Sequence, residues 1–164
     1  MVRHRRNRTP GATYFFTVTL ADRRAPTLTT RIGALRTAFA TTRRERPFHI
    51  DAIVILPDHL HAIWTLPEHD PDFPARWCRI KSLFTRQACA GVSPWQPRYW
   101  EHTIRDEHDL TRHIDYIHFN PVKHGHVANV RDWPHSSFHH HLRAGHYPAD
   151  WGNTYTPPPT QFGE

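Results

Sequence analysis

The residues that could do chemistry in this 164-residue chain fall in two short stretches, His59-Leu60-His61 and Asp115-Tyr116-Ile117-His118-Phe119-Asn120-Pro121. Side chains alternate along a strand, so His59 and His61 point to one face and Leu60 to the other. Two imidazoles that close can share a divalent ion. A His-x-His couplet also arises by chance in a chain with 16 His, and alone it is a weak metal signal. On a helix, Asp109, His113, Tyr116 and Asn120 form one stripe, and Leu110, Ile114 and Ile117 form an adjacent stripe that reads as the core contact. A tyrosine at the edge of a buried face is, by itself, an ordinary packing residue. Combined, the two stretches read differently. Tyrosine is a covalent nucleophile that needs help at neutral pH, since its unperturbed pKa is about 10. A divalent ion held by His59, His61 and the Asn120 amide oxygen would polarise a scissile phosphate. That neutral donor set suits Mg²⁺ or Mn²⁺ bound together with substrate, rather than a structural zinc.

Punctuation and periodicity outline the elements that must position these groups. Residues 14–20 (YFFTVTL) read as a strand. A helix over 29–46 carries Ile32, Leu35 and Phe39 on one face and is closed by Pro47. Residues 48–56 (FHIDAIVIL) form a strand so apolar that it is expected at the sheet centre, buried on both sides. Its hairpin partner is 60–66, across Pro57-Asp58. A helix over 75–90 and a short strand over 98–104 follow. Asp106 caps a further helix, with Asp109 in a capping-box-like role. Pro121 is expected to end that helix near Asn120, and 121–147 reads as a short helix and loops. The order β-α-β-β-α-β plus a C-terminal helix predicts an α+β, ferredoxin-like split βαβ fold: an antiparallel sheet with helices on one face and a C-terminal helical extension. The expected division is a basic arm over 1–12, a single catalytic domain over 13–147, and an unstructured Pro-rich tail over 148–164.

Charge bounds the partner. Lys plus Arg outnumber Asp plus Glu by 21 to 15, and Lys81 and Lys123 are the only lysines. Arg forks suit phosphates and stack on bases, although codon bias gives the same composition. The candidate phosphate contacts are Arg3, Arg5, Arg6 and Arg8 in the arm, Arg79, Lys81 and Arg86 on the second long helix, and Arg98 and Lys123. Each also reads as solvated surface. Arg98-Tyr99-Trp100 fits either a base-stacking segment or a core strand, and His139-His140-His141 reads as a polar surface patch. Cys78 and Cys89 form neither a disulfide nor a zinc framework. The basic N-terminus leads into no apolar segment, and no run reaches transmembrane length, so no membrane partner is expected.

The stretch ILPDHLHAIWTLP resembles the HUH motif of the single-tyrosine HUH transposases. YIHFNPVKHG, with the downstream DWPHSSFHHHL, is similar to the branch called REP-associated tyrosine transposases. The likeness spans roughly residues 10–152. It implies His59 and His61 as metal ligands, Tyr116 as nucleophile, and Asn120 at a third ligand position where the wider family has Gln. His135 stands where the branch's W-P-x-S-S segment would carry an aromatic. The implied activity is metal-dependent cleavage of single-stranded DNA beside a palindromic, REP-like hairpin, through a 5′-phosphotyrosine that later rejoins strands. The implied setting is the bacterial cytoplasm, associated with the nucleoid, as monomer or homodimer. Two other readings fit the same residues. A binding module would hold hairpins without cutting, and a water-using metal nuclease would need the His pair but not Tyr116.

Overall fold

A computed structural model describes residues 8–157. Four strands, β1 (Thr13–Thr19), β2 (His49–Ile55), β3 (His59–Thr65) and β4 (Trp100–Thr103), form one antiparallel sheet in the order β2-β3-β1-β4. This is the expected split βαβ arrangement. Strand alternation divides the core in two. Tyr14, Phe16, Val18, Leu60, Ala62 and Trp64 face one side, where they pack under α2 (Ile32–Glu45) and α3 (Phe73–Ala88) around stacked Trp64 and Trp77, 4.2 Å apart. Phe15, Ala52, Val54, Leu56 and Ile63 face the other side, beneath α4 (Glu107–Lys123). The helix expected over 29–46 is two pieces, α1 (Thr27–Thr30) and α2, broken at Arg31.

Two expectations fail for identifiable reasons. First, β2 is an edge strand, not a central one. Its apolar character is explained by the segment that seals its outer edge. The Ile55 N–H donates to His135 O at 2.9 Å, and the Ser137 N–H donates to Ile53 O at 2.8 Å. The Trp133 indole donates to Ile55 O at 3.0 Å, and Ser137 Oγ accepts from the Ile53 N–H at 2.9 Å. The DWPHSSF stretch thus acts as an improvised fifth strand that hides an exposed edge. Second, α4 runs through Pro121 to Lys123. A proline removes one helical donor, here the bond to Ile117 O, but in the last turn that loss is tolerated.

The short helix α5 (Phe138–Arg143) closes over this edge. Two of its three histidines are tethers rather than a surface patch, and His140 is exposed. His139 Nε2 bonds Trp133 O at 2.7 Å, and His141 Nε2 bonds Asp51 O at 2.9 Å. Ser137 Oγ also meets His118 Nε2 at 2.9 Å. Burial, reinforced by His141 and His139, pushes His118 down to about 3. His118 is therefore neutral and shares this hydrogen bond with the serine hydroxyl. In the stretch expected to be an unstructured tail, 148–157 forms no helix or strand. Even so, Trp151 stacks on Phe138 at 5.9 Å and meets Tyr147 at 4.6 Å. No helix among the described residues is long and apolar enough to cross a membrane.

Ser137→Ala removes the acceptor for Ile53 and the partner of a buried histidine. Urea unfolding is expected to show a loss of about 1–3 kcal/mol. A change within about 0.5 kcal/mol would mean that backbone pairing alone holds the edge segment.

Candidate active site

β3 presents His59 and His61 on the face under α4, with Leu60 turned to the opposite core. Their rings lie 5.0 Å apart, and they are 2% and 0% exposed. Each has its Nδ1 engaged. His61 Nδ1 shares a hydrogen bond with Thr17 Oγ1 across the β1–β3 ladder at 2.8 Å. His59 Nδ1 meets Asp58 Oδ1 at 2.7 Å, and Arg23 Nε donates to the other Asp58 oxygen at 2.7 Å. Burial opposes ionisation of Asp58, but the hydrogen bonds from Arg23 and His59 outweigh it and hold the carboxyl below its usual range. An ionised carboxylate only accepts, so His59 carries its proton on Nδ1 and turns the Nε2 lone pair to the site. A histidine oriented by a carboxylate in this way is a common metal-ligand arrangement.

α4 brings the remaining groups. The Tyr116 ring lies 5.2 Å from the His61 ring and 6.2 Å from Phe15, and Tyr116 is 3% exposed. Two turns later the His124 ring lies 5.1 Å from His59. Asn120, fully buried, stands midway between Tyr116 and His124 on the same helical stripe, so it faces the His pair. Lys123 Nζ donates to the Tyr116 hydroxyl at 3.2 Å and sits 4.9 Å from the ring centre. The stripe Asp109-His113-Tyr116-Asn120 is thus the better-buried one. Of the three residues read as core, Ile117 is buried, while Leu110 and Ile114 are only partly so.

The expected phosphate contacts scatter. Lys123 is at the site. Arg98 and Arg86 are exposed. Arg79 is clamped to Glu45 by two bonds of 2.8 and 2.7 Å on the α2–α3 side, away from His59 and His61. Lys81 donates to Gln96 O and sits against Trp95 and Tyr99. Arg8 pairs loosely with Asp72 at 3.9 Å, and Arg3, Arg5 and Arg6 lie outside the described residues.

A second polar cluster lies one to two helical turns before Tyr116. Asp109, His102 and His113 offer ligand atoms within 4.8 Å of one another. The Asp106 cap is as expected, accepting from the Asp109 N–H at 2.8 Å. The Asp109 carboxylate does not close a capping box. It accepts from His102 Nε2 at 2.8 Å and from the Arg105 N–H at 3.1 Å. His113 lies parallel to His102 at 4.8 Å, and its Nδ1 donates to Asp109 O at 2.7 Å. Desolvation alone would raise Asp109, but these bonds and the charges of His102 and His113 hold it at about 2. The cluster ties β4 to the first turn of α4.

Comparison with known proteins identifies the family. The chain is 51% identical to the REP-associated tyrosine transposase of Escherichia coli K12, over 95% of this chain and 94% of that protein. The chain belongs to the REP-associated tyrosine transposases. It is also 46% identical to a putative REP-associated tyrosine transposase of Haemophilus influenzae Rd, over 93% of this chain and 94% of the other. A solved REP-associated tyrosine transposase, bound to a REP hairpin, superposes with TM-score 0.93 at 48% identity, over 100% of this chain and 98% of that one. No family model matches the chain. Set against the geometry of the site, the reading of the residues missed Asp58, Thr17 and His124 as neighbours of the His pair, and it took Lys123 for a phosphate contact rather than a partner of Tyr116. Placing the helix end at Asn120 hid Lys123 and His124, which lie seven and eight residues beyond Tyr116 and so on its face.

For Asp109, the pKa lies below its unfolded value. Its stabilisation is therefore complete above about pH 4 and is lost as pH falls through about 2. Asp109→Asn is expected to cost roughly 2 kcal/mol at pH 7, at 1.36 kcal/mol per unit. The gap from wild type should shrink between pH 4 and pH 2 in urea unfolding. A pH-independent gap would assign the loss to packing instead.

Proposed function

We propose that this protein is a metal-dependent single-stranded-DNA endonuclease and strand transferase that cuts beside REP-like hairpins, with Tyr116 as nucleophile. The observation that carries the reading is one chain holding the Tyr116 ring 5.2 Å from His61 with Lys123 on its hydroxyl. The hairpin partner is supported by the solved relative bound to a REP hairpin. In the proposed step the Tyr116 oxygen bonds to phosphorus as the P–O3′ bond breaks. A 5′-phosphotyrosine and a free 3′-hydroxyl result, and the reverse step rejoins strands without an external energy source. Lys123, donating to the attacking oxygen, stabilises negative charge there. A divalent cation fits His59, His61 and Asn120: the Nδ1 bonds preset both imidazoles, and the amide adds a hard oxygen. Mg²⁺ or Mn²⁺ bound there would draw charge from the scissile phosphate. Because α4 packs Tyr116 against the His pair of its own sheet, we assign cleavage in cis to a monomer.

Hairpin oligonucleotides with single-stranded flanks, incubated with Mn²⁺, are expected to give a covalent protein–DNA adduct on denaturing gels. Chelation should abolish it, and so should Tyr116→Phe. Cleavage that survives Tyr116→Phe would make the protein a water-using nuclease, and binding without cleavage would make it a hairpin-holding module.

Lys123→Met is expected to slow adduct formation about tenfold to a hundredfold, with hairpin affinity changed much less. An unchanged rate at saturating DNA would leave Lys123 no part in activating Tyr116.

A further inference from the structure

Five of the six tryptophans are buried or half-buried, whereas Trp100 is 48% exposed. A single exposed apolar side chain is ordinary and decides nothing. Its place in the sheet is what matters. Trp100 pairs with Thr17 on β1, and Thr17 pairs with His61 on β3. Directly opposed residues share a face. Thr17 is on the His61 side, since its hydroxyl bonds the His61 ring. Trp100 therefore stands on the active-site face, in the same cross-strand row as His61. Its neighbour Tyr99 turns the other way, against Phe16 and Trp77.

The same face is unevenly covered. The apolar contacts of α4 run to Phe15, Ala52, Val54, Leu56 and Ile63, so the body of the helix lies over β2, β3 and Phe15 of β1. At the β4 edge α4 is tethered through His102, one pleat along from Trp100, and Trp100 itself remains in solvent. Two strand spacings of about 4.8 Å put its backbone about 10 Å from that of His61. A single strand covers that in a few nucleotides, at a stacked rise of about 3.4 Å each. Arg98 and Arg105, both exposed, flank Trp100 in sequence and supply charge for the backbone.

We infer that Trp100 is a stacking platform for an unpaired nucleobase beside the scissile phosphate, the base lying on the indole while the backbone runs toward His61. An aromatic face accepts any base, so the contact fixes the path of the strand more than its sequence. This rests on the reading of the site as a single-stranded-DNA nuclease.

The test compares binding of oligo(dT) with a matched abasic chain, which keeps the phosphates and lacks the bases. Wild type is expected to prefer oligo(dT). In Trp100→Ala that preference should fall roughly five- to a hundredfold, the fold-change of one lost base–aromatic stack. Trp100→Phe should keep most of it, and the salt dependence of binding should not change, because phosphate contacts are untouched. Thermal unfolding of both variants checks that the exposed position leaves the fold intact. A preference unchanged in Trp100→Ala overturns the platform. Equal weakening on both chains overturns it as well, by assigning Trp100 to the backbone. Adduct formation with a flanked hairpin is read in parallel. Adducts with an unchanged base preference sink the platform alone, and a Trp100-dependent preference without adducts sinks the nuclease reading alone.

Discussion

The site depends on one packing contact, the burial of the sheet's second apolar face beneath α4. Phe15 is its centre. Its ring touches His61 at 5.6 Å, His113 at 4.8 Å and Tyr116 at 6.2 Å. A fully buried aromatic contributes on the order of a few kcal/mol by removal from water, and here it also sets how far α4 and its Tyr116 stand from the His pair. Because the contact is apolar and tight, the polar groups around it hold fixed positions. His61 is braced by Thr17 and His59 by Asp58, and neither imidazole can turn without losing a buried hydrogen bond. Polar groups this deep are expensive unless they are satisfied or used.

Most of the fold was legible because period-2 and helical patterns run cleanly through β1, β3, α2 and α3. The failures come from long-range partners that local pattern cannot encode. A fully apolar run reads as a central strand, yet 48–56 gets its second cover from residues 133–138, far along the chain. Pro121 is a helix breaker by local rule, but the helix continues to Lys123 because the donor lost in its last turn is tolerated. The site followed the same division. His59, His61 and Tyr116 were identifiable from residue type and spacing, and the structure places them together. Asp58 and Thr17 were not, because an Asp in a hairpin turn and a Thr in a strand carry no mark of what they will brace. Trp100 was ambiguous for the same reason, since exposure depends on where α4 lies.

Connectivity decides whether the site is built within one chain. Only residues 104–106 separate β4 from α4, and three residues span at most about 11 Å. The first turn of α4 is therefore confined near its own β4. The Asp109 carboxylate then fastens this junction, gripping His102 on the strand and the Arg105 backbone in the connection. For α4 to reach another chain's sheet, that buried charge would have to give up its partners, a cost of several kcal/mol if it stayed buried. The same clamp holds the helix two turns before Tyr116 and so fixes its starting angle across the sheet. Phe15 sets its height, and the turn through Pro121 carries Lys123 to Tyr116 and His124 to His59. The placing of Tyr116 over the histidines of its own chain thus follows from a three-residue connection and one buried carboxylate.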